Sequence, residues 1–232
     1  MSRQNALLAR CTSTLRDQLL PHLSQIELNR SDIIAETHQR LEKAYFPHSG
    51  IISCVVELLG GGAIETGMIG WDGVYGASQA LDAKISLNHV MVQVPGAASA
   101  IDAQRLVEIA EKSSEFRKLI VGYDHYFLAQ VQQTAACNAV HRVAERMCRW
   151  LLRMRDLAGD DIYVTQEFLA QMIGVRRTSV SEVAAELQQS GMISYARGHI
   201  HIRDIALVEK YACECHADVQ AHYHAIFSES HL

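Results

Sequence analysis

The spacing of apolar residues shifts along this chain, and each shift predicts a different element. Leu15, Leu19, Leu20 and Leu23 recur at three- and four-residue steps, which predicts a helix over residues 12–29. From residue 44 to 101 the apolar runs become short and β-rich: "GIISCVVELL", "AIETGMI" and "NHVMVQV". Gly60, Gly61 and Gly62, then Gly70, Gly73 and Gly76, then Pro95-Gly96, separate them. Short strands with turn residues between them predict a small antiparallel roll. Next, Phe116, Leu119, Ile120, Tyr123, Phe127, Gln130, Val131, Thr134 and Cys137 fall on one helical stripe with no proline to break it. A helix of some twenty residues is ~30 Å long, more than one small core requires. Periodicity leaves this stripe open between a core face of the roll and a seam between two copies of the chain. A further helix over residues 140–157 places Val143, Met147, Trp150, Leu151 and Met154 on its apolar side and ends at Gly159-Asp160-Asp161.

The stretch "QEFLAQMIGVRRTSVSEVAAEL", residues 166–187, has a finer pattern. Leu169, Ile173, Val175, Val180 and Val183 are spaced to pin two short helices together. Ala170 is small where the second helix crosses the first. Gly174 can take the positive φ that ends the first helix and reverses the chain. Thr165 is a good N-cap, with Glu167 favourable in the first turn. This is the spacing of a helix-turn-helix. It leaves Arg176, Arg177, Thr178, Ser181, Glu182 and Glu186 facing outward. Arginine can bond bidentately to guanine, hydroxyls reach phosphate or base, and a helix N-terminus attracts phosphate. Downstream, "SGMISYARGHIHIRD" predicts strands over residues 192–195 and 199–202 around a turn at Ala196-Arg197-Gly198, the wing of a winged helix with Arg197 at its tip. His199 and His201 fall on one strand face and are expected as exposed wing residues. Asp204 caps a last helix.

Composition refines this reading. The formal net charge is -5 and hydrophobic residues make up 49 % of 232 residues, enough for one large or two modest cores. The acidic total does not oppose nucleic-acid binding, because residues 174–203 carry Arg176, Arg177, Arg197 and Arg203 against Glu182 and Glu186, a local +2. Residues 142–155 carry five arginines against Glu145 alone, a local +4 expected to be a solvated helix face. With no apolar leader or membrane-length run, a cytoplasmic protein without membrane contact is expected. The six cysteines are expected to be reduced and buried. Cys213 and Cys215, if both on a helix, would diverge by about 200°, so they are expected to pack rather than bind metal. No metal site is predicted.

In its predicted strands, its long helix and the stretch "VTQEFLAQMIGVRRTSVSEVAAELQQSGMISYARGHIHI", the chain resembles the Crp/Fnr family of bacterial transcription regulators. The resemblance implies an α+β fold. An N-terminal antiparallel, jelly-roll-like β-roll with flanking helices would occupy residues 1–137, its dimerisation helix about 114–137. A winged helix-turn-helix DNA-binding domain would follow over residues 138–232. It implies a homodimer with the long helix as seam, a near-palindromic double-stranded DNA site, and RNA polymerase as a further partner. Carried onto this sequence, the DNA contacts are Thr165, Arg176, Arg177, Thr178, Ser179, Ser181, Glu182 and Arg197. Base-reading relatives commonly show Arg-Glu-Thr-Val-x-Arg; here the run is Arg177-Thr178-Ser179-Val180-Ser181-Glu182. That predicts a different preferred sequence, read by Arg177, with Arg176 and Ser179 on phosphate.

The effector pocket of the resemblance maps to Gly76, Ala77, Leu87, Asn88 and Tyr123. Cyclic-nucleotide-binding members carry Gly-Glu and Arg-Ser pairs there. Ala77 replaces the Glu and Leu87-Asn88 stand about where Arg-Ser would be, so a buried phosphate would lack its charge partner. Cyclic AMP is therefore not expected, nor an iron–sulfur cluster on Cys11 and Cys54, which cannot supply four ligands. Haem stays open at His48 or His89. No enzyme is expected: the roll has only those two histidines for a metal set, and no nucleophile elbow or phosphate loop occurs. The alternative readings are a dimeric protein-interaction module, or a haem or redox sensor, whose helical hairpin reads no bases.

Overall fold

The computed structural model describes residues 4–82 and 85–228. Helices α1 (Ala6–Arg10) and α2 (Ser13–Leu19) open the chain, capped by the side chains of Asn5 and Thr12. The helix predicted over residues 12–29 stops early. Pro21 forces a tight 3-10 turn at Leu20–His22, and the residues after it form strand β1 (Ser24–Leu28). Its backbone bonds go to a strand seventy residues away, Ser24 facing Ala100, a pairing that helical spacing of leucines cannot reveal.

The roll continues with β2 (Ile33–Ala35), β3 (Lys43–Pro47), β4 (Ile51–Glu57) and β5 (Ala63–Ile69), then α3 (Ala77–Leu81), β6 (His89–Val94) and β7 (Gly96–Asp102). One sheet has the order β1-β7-β3, with β7 antiparallel to both neighbours; the other has the order β2-β6-β4-β5. Phe46, Ile51, Ile52, Val90, Val92 and Ile101 are almost wholly buried. They are the β-branched and aromatic runs that the alternation predicts, so the antiparallel roll stands as expected.

Helix α4 (Ala103–Lys112) leads into α5 (Ser114–Val140), a single helix of 27 residues. Then come α6 (Val143–Ala158), β8 (Asp161–Tyr163), α7 (Gln166–Ile173), α8 (Arg177–Gln189), β9 (Ile193–Ala196), β10 (His199–Ile202), α9 (Ile205–Tyr211) and α10 (Cys215–Phe227). The wing is three-stranded, order β8-β10-β9, one strand more than the sequence pattern suggests. Asp204 caps α9 through its carboxylate to Leu207 N–H, yet α9 is not the last helix.

The chain divides into two compact units. One holds Met1–Cys54, Gly67–Leu128 and Tyr223–Leu232; the other holds Val55–Thr66 and Ala129–His222. The core of the second is built from Met147, Leu151, Met154, Leu169, Val180, Leu187 and Ile200. Among the described residues, no helix is long and apolar enough to cross a membrane.

The structure decides between the two readings of one helix face and corrects the expectation for another. The α5 stripe from Phe116 to Cys137 is turned into this chain: Phe116, Leu119, Ile120, Tyr123, Gln130, Thr134 and Cys137 are all buried. Any seam between copies must use the opposite face, where Lys118, Val121, His125, Leu128, Gln132, Ala135 and Ala139 are exposed at alternating three- and four-residue steps. The arginine run of α6 is not a solvated face either. Arg146 and Arg153 are buried, and Arg146 Nη2 donates to the carbonyl of Ile173. A guanidinium there satisfies a free carbonyl at the C-terminus of α7 and opposes the negative end of its dipole.

Candidate nucleic-acid interface

Helix α7 begins at Thr165, whose hydroxyl accepts from Phe168 N–H at 3.2 Å, and ends at Gly174 in the left-handed region, φ 66° and ψ 44°. A β-carbon there would be strained by φ and would sit 3.2 Å from Ile64 Cδ1. Gly174 N–H bonds back to Gln171 O and Val175 N–H to Ala170 O, closing the end of α7 before the chain turns into α8. Leu169, Ala170, Ile173 and Val180 are buried and Val175 and Val183 half-buried, so the pinning residues behave as their spacing predicts.

This leaves the first turns of α8 outward. Arg176 occupies the N-cap, Arg177 the first helical position, and both are exposed, as are Thr178 and Glu182, with Ser179 half-buried. At the wing tip Arg197 and Gly198 both have positive φ, 51° and 77°. That two-residue turn matches the twist of the flanking strands and holds Arg197 in solvent. The start of α7, the outer side of α8 and the wing enclose an open groove of about 640 Å³ lined by Thr165, Gln166, Arg177, Ser181, Gln188 and Arg197, among others. Four of the eight predicted contacts thus share one concave surface, while Arg176, Thr178, Ser179 and Glu182 lie outside its lining.

Within this surface some predicted contacts already have partners. Ser181 Oγ donates to Gln166 Oε1 at 2.7 Å and lies 3.1 Å from Arg177 O, bracing α8 against the first turn of α7. Arg177 Nη1 lies 3.6 Å from Glu167 Oε2 in an exposed ion pair, weak enough for a competing anion to displace. Gln166 and Gln188 hold Ser181 and the Tyr195 N–H respectively, and amides at these places carry no periodic signal in the sequence. Tyr195 Oη donates to Val164 O at 2.9 Å, fixing the wing on its base. His199 and His201 both meet Asp161 Oδ1, at 2.8 and 3.0 Å, and their hydrogen bonds hold the Asp161 carboxyl below the usual carboxylate range.

In the roll, the residues mapped to an effector pocket separate. Leu87, Asn88 and Tyr123 line one space, whereas Gly76 opens α3 at φ 84° and Ala77 is buried at its first turn, outside that lining. The space is about 20 Å³. That is room for about one water, against roughly 300–1,000 Å³ for a small-molecule site. Tyr75, Ile120, Tyr123 and Phe127 line it. The Tyr123 phenol passes so close to Gly73 that a β-carbon there would lie 2.0 Å from its oxygen. Burial pushes the Tyr75 phenol up, so it stays protonated and donates to Ser86 Oγ at 2.8 Å. Ser86 in turn donates to Asn88 O at 2.6 Å.

Both histidines considered for haem have partners. His48 Nδ1 accepts from Asn5 N–H at 3.2 Å and its Nε2 meets Ser99 Oγ at 2.7 Å; His89 Nδ1 pairs with Glu36 at 2.8 Å. All six cysteines are buried. Burial pushes Cys11 up to about 11 and Cys148 up to about 12, so both stay protonated and pack as small apolar side chains.

Residues 145–211 match the family described as the Crp-like helix-turn-helix domain. No curated protein sequence matches the chain. Solved structures do. FixK2 from Bradyrhizobium japonicum superposes with a TM-score of 0.70 at 13% identity, over 82% of this chain and 98% of its own. The c-di-GMP responsive global regulator CLP of Xanthomonas campestris gives 0.67 at 14%, over 83% and 100%. A CRP-family transcriptional regulator from Thermus thermophilus gives 0.68 at 19%, over 81% and 96%. The chain thus has the fold of the Crp/Fnr transcription regulators and carries a Crp-like helix-turn-helix domain at residues 145–211.

Proposed function

We propose that this protein is a homodimeric regulator that binds a near-palindromic double-stranded DNA site through α8 and the wing. The observation that carries this reading is the exposed N-terminal end of α8, where Arg176, Arg177 and Thr178 stand beside a groove that Arg197 closes from the wing side. A helix N-terminus with two adjacent guanidinium groups attracts phosphate, and a guanidinium in its first turn can reach a base edge. Arg177 reads a base and Arg176 and Ser179 hold phosphate. The dimer is supported by the exposed α5 stripe, in which Val121 and Leu128 are 48% and 51% exposed in the single chain. RNA polymerase is the natural further partner of such a regulator.

The roll is a degenerate sensor in this reading. The 20 Å³ space and the missing phosphate partner at Leu87-Asn88 argue against cyclic AMP, and no catalytic role is assigned to any residue. The deciding experiment is selection of genomic fragments bound by the purified protein. A recovered motif with two-fold symmetry, one half-site per recognition helix, is the expected result. Fragments without a shared motif would sink the proposal.

A further inference from the structure

Four side chains that the DNA-facing surface does not use converge inside the second unit. Cys137 lies near the end of α5, and His141 follows four residues later, just beyond the last helical residue. The His141 N–H still bonds Cys137 O at 3.1 Å, so the two side chains keep the same helical face. Cys213 sits in the link after α9, and only Cys215 belongs to α10. The divergence expected for two cysteines on one helix therefore does not apply, because the backbone turns between them. The possible ligand atoms of Cys137, His141, Cys213 and Cys215 all lie within 4.8 Å of one another.

The distances fit one kind of occupant. Sγ of Cys137 is 3.6 Å from Sγ of Cys213, and Sγ of Cys215 is 3.5 Å from Nδ1 of His141. A tetrahedral zinc ion, with Zn–S of about 2.3 Å and Zn–N of about 2.0 Å, sets S···S edges of about 3.8 Å and S···N edges of about 3.5 Å. A disulfide would need sulfurs about 2.05 Å apart, and it would leave a third thiol and an imidazole in the same place without a role. The three sulfurs are buried and form a cluster of their own. On the far side of the imidazole, His141 Nε2 meets Glu214 Oε1 at 3.3 Å. A carboxylate there keeps the proton on Nε2 and turns the Nδ1 lone pair toward the sulfurs, the outer-shell arrangement common to zinc-bound histidines. Arg146 and Arg149 of α6 add positive charge near the sulfurs, offsetting the net negative charge of three thiolates around a divalent ion.

We propose that Cys137, His141, Cys213 and Cys215 bind one Zn²⁺ in a closed tetrahedral site that fastens the end of α5 to the link between α9 and α10. Four protein ligands leave no open position, which makes the site structural rather than catalytic. The inference stands independently of the DNA-binding reading.

The test uses the full chain, purified under reducing conditions without chelator. Elemental analysis should find one zinc per chain. Replacement by Co²⁺ should give the intense visible bands of a tetrahedral ion together with thiolate-to-cobalt charge transfer. Cys213→Ser should lose the metal, and Glu214→Gln should keep the ligands but release zinc to a competing chelator about tenfold more readily. If Cys213→Ser fails to fold, the wild-type stoichiometry and cobalt spectrum still decide. Folded wild-type protein that holds no zinc and shows no cobalt charge transfer after loading would overturn the proposal, as would a Cys137–Cys213 disulfide in metal-free native protein.

Discussion

Arg177 and Arg197 both reach solvent from the same groove, yet they should fail differently when removed. Arg177 sits at the first position of α8, where a planar guanidinium can bond two acceptors on guanine. Arg177→Ala should therefore cost about 1–3 kcal/mol on the selected site and flatten the preference at one base pair per half-site. Arg197 stands on a two-residue turn with no base-reading geometry imposed on it. Arg197→Ala should weaken every sequence alike and make the slope of log affinity against log salt shallower by about 0.9 per half-site. Fluorescence anisotropy over a salt series separates the two, and equal behaviour of the two variants would remove the division of labour. Their exposure was legible in the sequence, since local spacing leaves those positions unpinned. Engagement of Ser181 by Gln166 was not, because it depends on how closely α7 and α8 approach.

At the scale of elements, α5 shows how one periodicity can serve two faces. The apolar stripe that stands out in the sequence is the one this chain buries, and the weaker stripe through Val121, Leu128 and Ala135 is left outside. In the proposed homodimer, Leu128→Glu should leave only monomer mass in light scattering while the fold stays intact. A change at Tyr123 would instead disturb the roll, where that ring is packed over Gly73. The turn of the helix-turn-helix allows a similar test. Gly174→Val must place a β-branched residue at φ 66° against Ile64, and should lower stability by more than about 1 kcal/mol in thermal unfolding.

At the scale of the whole molecule, the net charge of -5 and the local basic excess of residues 174–203 coexist because charge acts over roughly a Debye length, about 8 Å at physiological salt. Acid should destabilise the roll through His48. Burial lowers its pKa below the ordinary 6.5, and the folded state keeps a neutral ring that accepts from Asn5 N–H. Below that ordinary value the unfolded chain takes up a proton the folded chain refuses, so the contribution is complete above pH 6.5 and declines as pH falls. Melting temperatures followed from neutral pH downward should show this decline, and His48→Gln should reduce it.

What the sequence determined by itself is what neighbouring residues encode together. The helix-turn-helix, its Thr165 cap, its Gly174 turn and the Arg197 hairpin each lie within a few residues, so spacing and backbone preference suffice to place them. The tertiary structure alone decided what depends on distant segments. Strand β1 replaced an expected helix because β7 supplied its partners. Arg146 was drawn inside by the carbonyl of Ile173. The Leu87-Asn88 region closed to about 20 Å³ because the Tyr75 and Tyr123 rings line it. Cys137 and Cys213, separated by 76 positions, met because the chain folds the end of α5 against the link before α10. Periodicity records which face of an element is apolar; only packing decides which other element covers it.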